Sequence, residues 1–180
     1  MSATTWYIAR SSGIVAYLLI SSSVVLGALM AAHVKFAWPR FALEEVHRFL
    51  ALLGGVFIVV HGSALFLDSV VPTSVKQELV PFSSSYRPFA VGLGVLAAEL
   101  MAAVGVTNYF RSRLPHRVWR RAHYLTLAVW GLATMHGFLA GTDRFDLWFA
   151  GIAAATVASV AMVLFTRFSA RRLSRDSVAA

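Results

Sequence analysis

The side chains best equipped for chemistry in this chain are its six histidines, at positions 33, 47, 61, 116, 123 and 136. Imidazole is the commonest side-chain metal ligand and suits iron well. His47 and His61 are 14 residues apart and His123 and His136 are 13 apart, which is about 21 Å and about 19.5 Å along a helix at about 1.5 Å per residue. Two such helices running parallel offer one histidine near each of their ends, at matching depths. One histidine from each helix can fill both axial positions of a haem held between them, an arrangement suited to electron transfer more than to oxygen binding. The spacing therefore suits two stacked haems. Gly54 lies halfway between His47 and His61 on the same stripe, with Gly55 beside it, and small residues there admit a bulky planar ligand or a neighbouring helix. At about 100° per residue a step of 14 returns to nearly the same face and a step of 13 does not, so tilt, or a distortion near Gly131, is expected in the second helix. A lone histidine in an apolar helix can simply hydrogen-bond its neighbour, but four in two matched pairs favour ligation. His33 and His116 are expected in the aqueous interface.

The elements that must carry these residues are apolar helices. The 180 residues are 58% hydrophobic and 13% charged with mean hydropathy +0.70, against about 45–50% and about 25% in soluble domains. Five long, mostly apolar runs, each able to cross a hydrocarbon core of about 30 Å, are expected over residues 11–32, 45–66, 88–109, 118–140 and 147–168. Continuous apolar runs point to helices, whereas a barrel would alternate polar and apolar residues. The expected fold is thus all-α, an integral membrane helical bundle forming a single transmembrane domain over 1–180. The first run is too long for a signal-peptide core and is expected to remain in the mature protein. No room is left for a flavin or nicotinamide domain, so such a site belongs to another protein.

The chain has no cysteine, which excludes disulfides, thiolate metal sites and haem attached through C-x-x-C-H. Its formal charge of +8 marks membrane flanks and not nucleic-acid binding. Twelve of the 16 lysines and arginines lie in or beside the first connector, the third connector and the C-terminal tail; Arg10, Lys76, Arg87 and Arg144 lie on the other side. By the positive-inside bias the N-terminus is outside and the C-terminus inside a cell inner (cytoplasmic) membrane, so the second and fourth spans both run outward.

Other residues carry weaker signals. Glu99, mid-span, should be protonated, paired or beside water. Arg48 is expected either to pair with a haem carboxylate or to snorkel, and Arg120 and Arg121 pose the same choice. Ser74 to Gln77 forms a capping-box pattern able to open a short surface helix through Leu79, within an outer loop, 67–87, that could cover the outer site. Trp6, Trp38, Trp119 and Trp148 read as an interfacial belt, and Trp130 as packing between the haems.

The segment from His47 to His61 (HRFLALLGGVFIVVH), His123-Tyr124 and the segment from Gly131 to Gly137 (GLATMHG) together resemble the ferric reductase-like transmembrane domain. That superfamily includes NADPH oxidases, ferric reductases and the haem-bearing membrane subunit of bacterial periplasmic methionine sulfoxide reductase. The likeness extends over roughly residues 41–168. It implies two non-covalent haems b, with His47 and His123 on the inner iron and His61 and His136 on the outer, and Arg48 and Gly54 beside the cofactors. The flavin and nicotinamide domain and the sixth helix of the larger members are not expected in these 180 residues. The expectation is the transmembrane electron-transfer subunit of an oxidoreductase, a di-haem b-type cytochrome in the lipid bilayer. Its donor would be a separate flavoprotein reductase or a quinol, and its acceptor an extracytoplasmic redox partner, ferric chelate or dioxygen. The alternatives are a haem-binding sensor, assembly or carrier protein without through-membrane electron transfer, and a haem-free protein whose histidines only pack helices.

Overall fold

The computed structural model describes residues 3–67, 73–143 and 145–179, with backbone alone for residues 3, 167, 168 and 170–179. Its described residues form helices and connectors, with no strand among them: α1 (Ala3–Ala31), α2 (Arg40–Phe66), α3 (Val75–Leu79), α4 (Pro88–Tyr109), α5 (His116–Ala140) and α6 (Leu147–Ala179), plus one 3-10 turn, Arg111–Arg113. Prolines set three of the starts. Pro39 and Pro115 stand directly before α2 and α5, and Pro88 is the first residue of α4, where a fixed φ and a missing N–H suit a helix opening. The short α3 opens on the expected capping box, with Ser74 Oγ accepting from the Gln77 N–H and Gln77 Oε1 accepting from the Ser74 N–H.

Four helices are long and apolar enough to cross a membrane: Thr4–Ala31, Arg40–Phe66, Pro88–Tyr109 and Leu147–Thr166. The multi-pass helical membrane bundle is therefore present. The expected fifth span, α5, is 25 residues long but falls outside that set; His116, Arg117, Arg120, Arg121 and two further histidines make it more polar. It nevertheless runs antiparallel along α4, because Trp119 reaches Asn108 near one end of α4 and His136 reaches Ala90 near the other.

α1 lies antiparallel on α2, meeting it at three levels: Gly27 at His47, Ile20 at Gly54, and Gly13 at His61. Side-chain hydrogen bonds join α1 to α5 and α6, from Trp130 Nε1 to Ser21 Oγ (3.1 Å), from Thr134 Oγ1 to Tyr17 OH (3.2 Å), and between Tyr17 OH and Thr156 Oγ1 (2.6 Å). Inside an apolar bundle such bonds replace water that polar groups cannot reach. Around them Ile20, Val24 and Val160 are buried, backed by Ile58, Leu127, Trp130 and Leu164. The result places α2 and α5 parallel, on either side of the histidines. The opposite face of α2, with Phe49, Leu52, Val56 and Val59, is exposed, as a lipid-facing stripe should be.

Candidate functional site

The four histidines of α2 and α5 meet in two pairs. The ring centroids of His47 and His123 are 6.0 Å apart, and those of His61 and His136 are 6.2 Å apart. Two imidazoles binding opposite sides of one metal ion, through bonds of about 2 Å each, place their centroids about 6 Å apart. Both pairs meet that requirement. Among the described residues no group of three or more His, Cys, Asp or Glu converges on one point. Each pair thus offers a metal ion two imidazoles, and no further His, Cys, Asp or Glu among the described residues joins them.

Three of the four rings are oriented by the same backbone device. His61 Nδ1–H donates to the Ala9 carbonyl at 2.7 Å, His47 Nδ1–H to that of Ser23 at 2.9 Å, and His136 Nδ1–H to that of Ala90 at 2.8 Å. In each case the residue one turn further along the accepting helix is glycine. A Cβ on Gly13 would lie 2.9 Å from His61 Nδ1, one on Gly27 2.9 Å from His47 Cε1, and one on Gly94 2.6 Å from His136 Nδ1. Removing the side chain at position n+4 exposes the carbonyl of residue n and lets the ring lie flat on the helix. Because a carbonyl can only accept, the proton sits on Nδ1 and the Nε2 lone pair is left for a ligand bond; metal-binding histidines are commonly oriented in this way. Ser23 supports His47 further, its hydroxyl donating to the His47 carbonyl at 3.1 Å.

His123 is held otherwise. Its Nδ1 is buried without a hydrogen-bond partner among the described residues, and its ring is stacked on Trp119, with centroids 5.4 Å apart and planes at 22°. Trp119 is fixed in turn by the bond from Nε1 to Asn108 Oδ1 at 3.3 Å. The His116 ring lies 5.5 Å from that of Trp119, and His116 and Trp119 border a cavity of about 300 Å³ lined also by Arg111, Ser112 and Leu114.

The 13-residue step is accommodated without a break. α5 is α-helical from His116 to Ala140, so the expected distortion at Gly131 does not occur as an interruption of the helix. Instead the two rings leave different flanks of α5, His136 turning towards α4.

Of the two companions expected beside the cofactors, Gly54 faces α1, where a Cβ would lie 3.0 Å from Ile20 Cγ1; the packing gives it to the helix crossing. Arg48 is exposed and bonded to Glu45 at 2.8 Å, and Arg120 and Arg121 are also exposed. Glu99 is exposed on α4. Beyond the second pair, α3 brings Glu78 against Gly62, where a Cβ would be 3.6 Å from Glu78 Oε2. Burial there pushes the Glu78 carboxyl above its ordinary value.

Sequence reasoning missed the supports. Gly13 and Gly27 repeat at the same 14-residue interval as His47 and His61, and Trp119 stands one helical turn before His123; both spacings were visible signals. Arg10 and Asp143, which meet at 2.6 Å, are too far apart in the chain to be paired by pattern.

A bundle of membrane-crossing helices that presents paired, pre-oriented imidazoles between two of its members has the layout of a membrane electron-transfer component. The chain belongs to the family described as ferric reductase like transmembrane component, which it matches over residues 12–134. The match takes in α1 from residue 12 onward, a helix that the resemblance by motif left out. It includes His47, His61 and His123 and stops two residues before His136. No match was found among curated proteins or among solved structures.

Proposed function

We propose that this chain is a di-haem b-type cytochrome that carries electrons across the cytoplasmic membrane to an extracytoplasmic acceptor. The observation that carries this reading is the pair of ring spacings, 6.0 and 6.2 Å, with Nδ1 already engaged in three of the four histidines. In this reading His47 and His123 hold the inner haem, and His61 and His136 the outer one. Bound there, haem would supply one-electron reduction and oxidation, and with both histidines of a pair holding it that chemistry would be favoured over binding of oxygen.

The protein's own part is to hold and orient. The carbonyls of Ala9, Ser23 and Ala90 fix three imidazole planes and raise ligand basicity. Apolar helices keep water from the space between α2 and α5, lowering the reorganisation that a change of charge demands. Five helices cross the bilayer, α5 among them because it keeps pace with α4 along its length. The arginine-rich connectors lie inside, with the N-terminus outside. The basic surface around Arg111, Arg113 and Arg117 suits an acidic flavoprotein reductase approaching by electrostatic steering, and a quinol is the other donor of fitting chemistry. The acceptor is a small oxidant, such as a ferric chelate or dioxygen, or a redox protein, met beside α3.

The test is haem content per polypeptide in detergent-purified protein, by pyridine haemochrome, with oxidised and dithionite-reduced spectra. Two haems per chain with low-spin b-type bands are expected. A colourless protein after expression with ample haem would reduce the histidines to helix packing. A single, readily lost haem would favour a carrier or sensor.

A further inference from the structure

Arg10 and Asp143 form an ion pair that the proposed function leaves without a task. Arg10 Nε lies 2.6 Å from Asp143 Oδ2, and the two side chains are 29% and 13% exposed. The guanidinium also sits over the rings of Trp6, at 4.9 Å, and Trp148, at 5.5 Å, so indole covers the pair and strengthens it by cation–π attraction. The other ion pairs among the described residues, Arg40–Glu44 and Arg48–Glu45, each lie within one helix and are more than half exposed. The Arg10–Asp143 contact instead spans 133 positions of the chain.

Its two ends are attached to the His61–His136 site. Arg10 directly follows Ala9, the carbonyl that accepts from His61 Nδ1. Asp143 lies in the turn between α5 and α6, seven residues after His136. Ala9 is in the second turn of α1, and helix ends open more readily than helix centres. A ligand whose orientation depends on a carbonyl so near a terminus needs that terminus fastened. At the opposite end of the bundle His47 takes its acceptor, Ser23, from well inside α1, where the helix itself suffices. We infer that Arg10 and Asp143 are positioning residues for the outer haem: the pair fixes the acceptor of His61 to the segment carrying His136, so that the two imidazoles keep their spacing. The inference rests on the haem-ligand reading of the four histidines.

The experiment compares wild type with Arg10→Gln, Asp143→Asn and, as a surface ion-pair control, Arg40→Gln, each purified in detergent as the full chain. Haem per chain, low-temperature difference spectra, electron paramagnetic resonance of the low-spin centres and the midpoint potential of each haem are read together. The outer signal is assigned independently as the one lost in His61→Ala. Arg10→Gln and Asp143→Asn should shift or deplete that signal alone, with haem falling from two per chain towards one, while Arg40→Gln matches wild type. If wild type holds two haems and both variants keep both signals unchanged, the inference is overturned and the haem reading stands. Equal loss of both signals would make the pair a general fastener of the bundle, which also overturns it. A wild-type protein without haem defeats the haem reading itself, and the inference with it.

Discussion

The two histidine sites share a ring spacing and differ in how it is maintained. At His61–His136 both rings lie on glycine and donate to a backbone carbonyl, from α1 on one side and α4 on the other. The Arg10–Asp143 pair and the α3 loop lie beyond them. At His47–His123 only His47 is seated in this way; His123 is braced by Trp119. The two rings leave different flanks of α5: His136 turns to α4 and finds the Ala90 carbonyl with Gly94 one turn on, whereas His123, 13 residues earlier, is stacked on Trp119 and leaves its Nδ1 without a hydrogen-bond partner among the described residues. A helix can present the same imidazole at the same separation through a backbone acceptor or through an aromatic stack. Only the first sets the ring's tautomer and raises its basicity.

The largest effect should come from removing a ligand. His61→Ala is expected to abolish the outer haem and spare the inner, and His47→Ala to do the reverse, read as haem per chain and as which low-spin signal disappears. The sites are separated by about 21 Å along α2, so their losses should be independent. Loss of both haems from either variant, with the protein still folded, would dissolve the distinction between the sites.

A smaller effect is expected from filling a cradle. In Gly94→Ala the new methyl would meet His136 Nδ1 at 2.6 Å, so the ring must move or its bond to Ala90 must break. Overpacking of this kind costs about 1–3 kcal/mol, which should appear as weaker retention of the outer haem and a lower melting temperature of the haem-loaded protein. Gly151→Ala, where a Cβ on α6 meets nothing within 4 Å, is the matched control and should leave haem retention unchanged while keeping the ordinary helix preference of alanine over glycine.

Much of this arrangement was legible in the sequence because it follows from periodicity. Apolar run length gave the helices α1, α2, α4 and α6, and Ser74 with Gln77 gave α3. Counting turns also showed that the histidines of α2 and α5 would come level with one another. The polar composition of α5 made its span harder to score than its histidines were to notice. Less legible was everything that depends on which faces touch. Gly54 sits on the histidine stripe by angle, yet that stripe also faces α1, and the contact decided its neighbour. Arg48 follows His47 in sequence but leaves the helix towards Glu45, three residues back. The 14-residue interval between Gly13 and Gly27 was on the page, but its meaning required knowing that α1 runs antiparallel to α2 in register with the histidines. Trp119 carries the general lesson. A tryptophan at a helix end suits the membrane interface by position, and only the side-chain direction shows it covering the His123 ring.

The smallest effect, and the one that most sharpens the comparison, concerns that tryptophan. A stacked aromatic pair contributes about 0.5–1.5 kcal/mol beyond the area it buries, less than the loss of a ligand and at or below the cost of overpacking. Trp119→Leu keeps an apolar side chain over His123 but removes the stacked face and the bond to Asn108. With no carbonyl holding Nδ1, the His123 ring should then gain rotational freedom about its side-chain bonds. The expected readout is a broadened or displaced low-spin resonance for the inner haem and faster loss of that haem to an acceptor such as apomyoglobin, with the outer signal unchanged. An inner signal indistinguishable from wild type would mean that the packing of α4 and α5 alone sets the His123 ring, and the aromatic brace would no longer distinguish one end of the bundle from the other.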